Sequence, residues 1–154
     1  NEKIYSADKT YGSNGEVLIL RKIKKVFTDC KKTPDKYNFF DFRDDTLKID
    51  FELKSRRITK GQYPTVFFAE HKLIAGRERI KEGITKRVIY LFCFKSKKDP
   101  TKQVLYYWED DLKDYATTMC GNYNRNEKAK PLVDLDITKL KSFKHLRPIC
   151  TKLP

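Results

Sequence analysis

The clearest regularity in the chain is the run Leu47–Ser55, where apolar and polar side chains alternate with the period of two that a half-buried strand requires. Leu47, Ile49, Phe51 and Leu53 fall on one face. Lys48, Asp50, Glu52 and Lys54 fall on the other, with successive side chains on a face about 7 Å apart. Just upstream, Tyr37–Phe42 is an aromatic-rich segment with the composition of a strand, and Arg43-Asp44-Asp45-Thr46 supplies a polar turn. Together they predict a hairpin that brings Asp41 near Glu52.

Elsewhere the spacing changes to that of helices. Ser13 and Glu16 have the form of a capping box ahead of Val17, Leu18, Leu20, Ile23 and Phe27, which predicts a helix over 14–28 behind a polar N-terminal arm. Residues 29–36 read as a basic loop with room for a short edge strand. Tyr63-Pro64-Thr65 breaks regular structure. A second helix is expected from Ala69 to Gly83, with Leu73, Ile74 and Ile80 inward, Arg77, Arg79 and Lys81 outward, and Gly76 as an unfavourable helical residue. Val88–Phe94 is uninterruptedly apolar, the mark of a strand covered on both faces in mid-sheet. Val104–Trp108 returns beside it. Glu109-Asp110-Asp111 reads as the cap of a helix over 112–118, residues 120–131 as a polar basic loop, Val133–Ile137 as a peripheral strand, and Leu140, Phe143 and Leu146 as one side of a short final helix. The order predicts an α/β or α+β fold: a mixed central sheet flanked by helices, with one domain over 1–154, a core over 13–108 and a basic C-terminal extension over 109–154.

Charge narrows the choice of partner. The 154 residues carry 34 Lys and Arg against 21 Asp and Glu, a formal net charge of +13. That excess favours a polyanion, nucleic acid ahead of an anionic membrane surface. No run of about 18 or more apolar residues suggests a membrane span, and no apolar signal core is seen. Cys30, Cys93, Cys120 and Cys150 are widely spread, which disfavours a zinc site and agrees with a reducing, intracellular compartment. His71 and His145 lack partner spacing and are expected at the surface.

Against that basic background the row of acidic residues on the motif strand stands out. A hard divalent cation takes oxygen ligands, commonly one or two carboxylates plus waters and phosphate oxygens. Asp41 and Glu52 would supply the carboxylates, and Lys54 an ammonium for water or for charge on a phosphate. Asp50 shares the polar face with Glu52 and is the rival to Asp41. The same alternation also reads as a charged, solvated strand face. Arg56, Arg57 and Lys60 form a basic turn after the strand, suited to a phosphate backbone.

Phe40-Asp41-Phe42, followed after the turn by Glu52-Leu53-Lys54-Ser55-Arg56, resembles the active-site hairpin of the PD-(D/E)XK nuclease superfamily, with Phe40 where the proline of the name would stand. With Tyr63-Pro64-Thr65 added, the chain looks most like the small nuclease-like proteins of large DNA viruses. The resemblance implies a restriction-endonuclease-like αβββαβ core with extra C-terminal strands, and an Mg²⁺- or Mn²⁺-dependent nuclease acting on DNA. It selects Asp41, Glu52 and Lys54 as catalytic, and adds Glu16, at the start of the first helix, as an auxiliary catalytic residue and metal ligand. Lys72 of the second helix is expected near the cluster and against nucleic acid. A homodimer is implied as a possibility, and for a viral protein the host cytoplasm, nucleus or virion. The alternative is a non-catalytic basic DNA-binding, virion or assembly protein.

Overall fold

The computed structural model describes residues 15–34, 39–121 and 128–149. Helix α1 covers 15–24; it is followed by β1 (Cys30–Lys32), β2 (Phe42–Asp44), β3 (Ile49–Thr59), β4 (Thr65–Ala69), α2 (Glu70–Lys81), β5 (Arg87–Lys95), β6 (Gln103–Glu109), β7 (Thr117–Cys120), β8 (Lys130–Asp136) and β9 (Lys141–Ser142). A six-stranded mixed sheet has the order β1-β2-β3-β5-β6-β9, and a three-stranded sheet has the order β4-β8-β7. The result is a mixed α/β architecture of the expected class. Only β3 and β5 pair in parallel within the larger sheet, and β4 with α2 makes the crossover between them.

The apolar run at 88–94 is buried at every position, as a strand packed on both faces must be. One core lies beneath α1, where Ile19, Ile23 and Phe27 meet Phe42, Phe51, Ile89 and Leu91. The other lies beneath α2 and the small sheet, where Phe68, Tyr90 and Trp108 pack with ring centroids 4.4 to 5.8 Å apart. The faces of β3 divide accordingly: Ile49 and Phe51 enter the first core, while Asp50 and Glu52 are buried on the side of α2. The polar face of the motif strand is therefore not a solvated one.

Several expectations need correction. The buried stripe of α1 is Ile19, Ile23 and Phe27, and Val17 and Leu18 are exposed; the helix ends by residue 24, and its Ser13 cap lies outside the described residues. β2 starts only at Phe42, because Phe39–Asp41 bend; residues 35–38 lie outside the described ones. The turn shifts to 45–48, where Asp44 Oδ1 accepts the Leu47 N–H at 2.8 Å and Lys48 takes a left-handed φ of 57°. The basic stretch 56–59 continues β3 through a bulge, and the chain turns only at Gly61, whose φ is 89°. Thr65–Ala69, expected as a break running into the second helix, is strand β4. In α2, Ile74 is exposed and Gly76 is buried: a Cβ there would lie 3.2 Å from Val88 and 3.3 Å from Phe40, so glycine permits the close approach to β5. No helix forms over 112–118, where strand β7 begins at Thr117. Val133–Ile137 is not peripheral, because β8 lies between β4 and β7. Short 3-10 turns replace the final helix. After residue 108, β8 pairs with β4 in the small sheet and β9 with β6 in the large one.

Candidate functional site

The hairpin register pairs Phe42 with Phe51 and Arg43 with Asp50, and its continuation places Asp41 opposite Glu52. Asp41 is fixed twice. Its N–H donates to the Phe51 carbonyl at 3.0 Å, and its Oδ2 accepts the Leu53 N–H at 2.8 Å, so the carboxylate replaces a backbone acceptor where β2 begins. Thr33, just beyond β1, donates its hydroxyl to the carbonyls of Phe40 and Asp41, the latter at 3.1 Å, and its N–H to the Asp41 carbonyl at 3.0 Å. Nothing in the sequence pattern singled out Thr33.

Glu52 is 4% exposed. Lys54 Nζ stands 3.7 Å from its Oε1, and Lys72 Nζ, reaching down from α2, stands 3.4 Å from its Oε2. Lys72 is itself held by the Phe39 carbonyl and lies over the Phe40 ring at 5.9 Å from its centroid. Burial pushes the Glu52 carboxyl from 4.5 up to about 7; the charge of Asp41 and a hydrogen bond with it act in the same direction, against the pull of Lys54 and Lys72. Glu52 Oε2 is buried without a hydrogen bond. On the exposed rim His71 is held below its ordinary pKa, first by desolvation and then by Lys72, Lys130 and Lys54, which places it at the edge of the same electropositive patch.

Asp50 belongs to a different assembly. Arg43 Nη1 donates to it at 2.8 Å and Arg79 from α2 at 2.7 and 3.1 Å, so a carboxylate 1% exposed is gripped by two guanidiniums. Arg79, expected to face outward, instead points to β3 because Asp50 holds it there. Arg77 similarly ties α2 to Asp110 with two bonds of 3.0 Å, and Arg87 binds Glu109 at 2.7 and 3.1 Å. Asp111 accepts from Tyr115 and from the Lys113 N–H, which accounts for the whole acidic triplet without a metal or a helix cap.

The other predicted residues are dispersed. Glu16 pairs with Lys32 at 3.3 Å rather than with the two carboxylates. Among the described residues no group of three or more His, Cys, Asp or Glu side chains gathers at one point. Arg56 is half-buried and donates to the Phe67 carbonyl at 2.7 Å, bridging β3 to β4. Arg57 is exposed, and Lys60 lies 4.8 Å from the centroid of the Tyr106 ring. The structure thus brings Asp41, Glu52, Lys54 and Lys72 together, and does not add Glu16, Arg56 or Lys60.

Asp41 and Glu52 are a suitable donor set for a hard divalent cation. Two adjacent carboxylates, one of them buried with a raised pKa and with an oxygen that accepts no hydrogen bond, are what an added positive charge would stabilise. Comparison with family models, curated proteins and solved structures finds no match.

Proposed function

We propose that this chain is a metal-dependent nuclease that hydrolyses phosphodiester bonds in DNA. The observation that carries the reading is buried Glu52 beside half-buried Asp41, facing Lys54 and Lys72 in a chain of net charge +13. Carboxylates repel phosphate unless a cation lies between them, so a binder that only coats nucleic acid gains nothing from this pair. Asp41 and Glu52 would hold Mg²⁺ or Mn²⁺, which when bound lowers the pKa of water and neutralises phosphate charge. Lys54 extends from the same face of β3 as Glu52, where its ammonium can hold developing phosphate charge or orient the attacking water. Lys72 presents a second ammonium from α2. The Leu53 N–H and Thr33 keep Asp41 in place without taking part in the chemistry.

One observation favours a non-catalytic DNA-binding protein instead: two ammoniums already neutralise Glu52, and Glu16 is engaged elsewhere. Incubating supercoiled, linear, branched and single-stranded DNA with Mg²⁺, Mn²⁺ or EDTA separates the readings. The nuclease cleaves at least one form with metal, is silent in EDTA, and loses cleavage but not DNA binding in Asp41→Asn. Binding without cleavage under every condition would leave the binding protein.

A further inference from the structure

Along α2 and the motif strand, cations meet carboxylates, as in Arg79–Asp50 and Arg77–Asp110. A cleft of about 730 Å³ between α1 and the β5–β6 turn is built differently. Arg21, Lys22, Lys95 and Lys102 line it, and among the described residues no carboxylate does. Among the described residues none of these four takes part in an ion pair. The carboxylate of the adjoining turn, Asp99, is bound to Thr101 through its N–H at 3.0 Å and its hydroxyl at 2.6 Å. Leu18, 52% exposed, gives the cleft an apolar wall beside its four cations. A second cleft, beside β9, also gathers cations, but Glu109, Asp110 and Asp111 line it and Arg87 is already bound to Glu109. Only the first combines unbalanced positive charge with apolar surface.

We propose that the cleft beside α1 binds one strand of a nucleic acid, with phosphates on the four cations and an unpaired base against Leu18. Its volume suits a ligand of small-molecule size, which a short piece of one strand matches. A duplex hides its base faces and would meet only the rim. Ile19, in the cleft wall, belongs to the core beneath α1, whereas Glu52 is buried on the opposite face of the main sheet. The cleft is therefore an anchoring surface separate from the hydrolytic pair. Register places Lys95 beside Thr59 and Lys54 beside Phe92, so the two sites are joined across the same end of β3 and β5. The inference rests on the nuclease reading only in taking nucleic acid as the polyanion.

The test is fluorescence anisotropy of a labelled oligothymidylate and of a blunt duplex over a range of salt, with the full chain and its Lys22→Ala/Lys95→Ala/Lys102→Ala variant. Each single-strand phosphate contact contributes a salt slope of about 0.7, so the triple variant should lose about 2 from its slope on oligothymidylate, with weaker binding, and lose less on the duplex. Leu18→Ala should weaken oligothymidylate binding at an unchanged slope. The proposal is overturned if the triple variant binds oligothymidylate like the parent, if it loses duplex and single strand equally, or if Leu18→Ala has no effect. Loss confined to phosphatidylserine vesicles would overturn it too, assigning the cleft to a membrane surface. Cleavage is read separately: a cleft that behaves as proposed in a chain that never cleaves DNA refutes the nuclease alone, whereas cleavage with an inert cleft refutes the cleft alone.

Discussion

At the scale of single residues, the two acidic positions of the motif strand have opposite fates, and mutation should separate them. Asp50 neutralises two guanidiniums while 1% exposed; Arg43 also has Asp45 at 2.7 Å, so Asp50→Asn deprives chiefly half-buried Arg79 of its carboxylate and should cost about 3 kcal/mol, read as a lower urea midpoint. Asp41→Asn should leave that midpoint nearly unchanged and remove cleavage. Similar destabilisation by both would contradict the assignment. Glu52 makes a pH prediction. Its carboxyl rises from 4.5 in the unfolded chain to about 7 in the folded one, so between these values the folded chain holds a proton that the unfolded chain has released. The stability from this group is fully present below the lower value and is lost as pH rises through about 7, by up to about 3 kcal/mol. Urea melts of the parent and Glu52→Gln should therefore diverge across this window, the variant being the more stable at pH 8. Parallel curves would show that Glu52 does not carry the proton. The pair Asp41 and Glu52 was legible because aromatic neighbours and strand alternation made two carboxylates costly to place without a purpose. Arg43, Arg79 and Thr33 were not, since their partners come from elements 7 to 29 residues away that no local pattern announces.

At the scale of elements, α2 connects the fold to the site: its first turn delivers Lys72, and its later turns deliver Arg77 and Arg79. The helix can lie that close to β5 only because Gly76 has no side chain. Gly76→Val should overpack the contact with Val88 and Phe40 and destabilise by about 1–3 kcal/mol, while Glu78→Val on the exposed side should have a much smaller effect. Thermal denaturation of the two variants decides this, and equal melting temperatures would refute the packing argument. The long strands β3 and β5 were readable from period and apolar run. β4 and β7 were not: β4, of 5 residues, follows Tyr63-Pro64 directly and pairs with a strand more than 60 residues on, and β7, of 4 residues, is exposed throughout and shows no alternation. A basic stretch read as a turn was a bulged strand for a related reason: the sheet, not the local composition, decides where pairing stops.

For the whole molecule, the charge of +13 predicts nucleic-acid affinity that falls steeply with salt and survives substitution of Asp41 and Glu52. Among the described residues no helix is long and apolar enough to cross a membrane. The charge excess was readable from composition; the separation of the cations beside α1 from the paired ones along α2 needed the fold. The central claim, that Asp41, Glu52 and Lys54 hydrolyse DNA, is tested most directly by the single-turnover cleavage rate of Lys54→Ala against the parent at saturating Mn²⁺, with DNA affinity measured alongside. The account predicts a loss on the order of 10² or more in rate, as for a positioned acid-base or electrostatic group, with affinity almost unchanged. A variant that cleaves at the parental rate, or one that fails only because it no longer binds DNA, would contradict it.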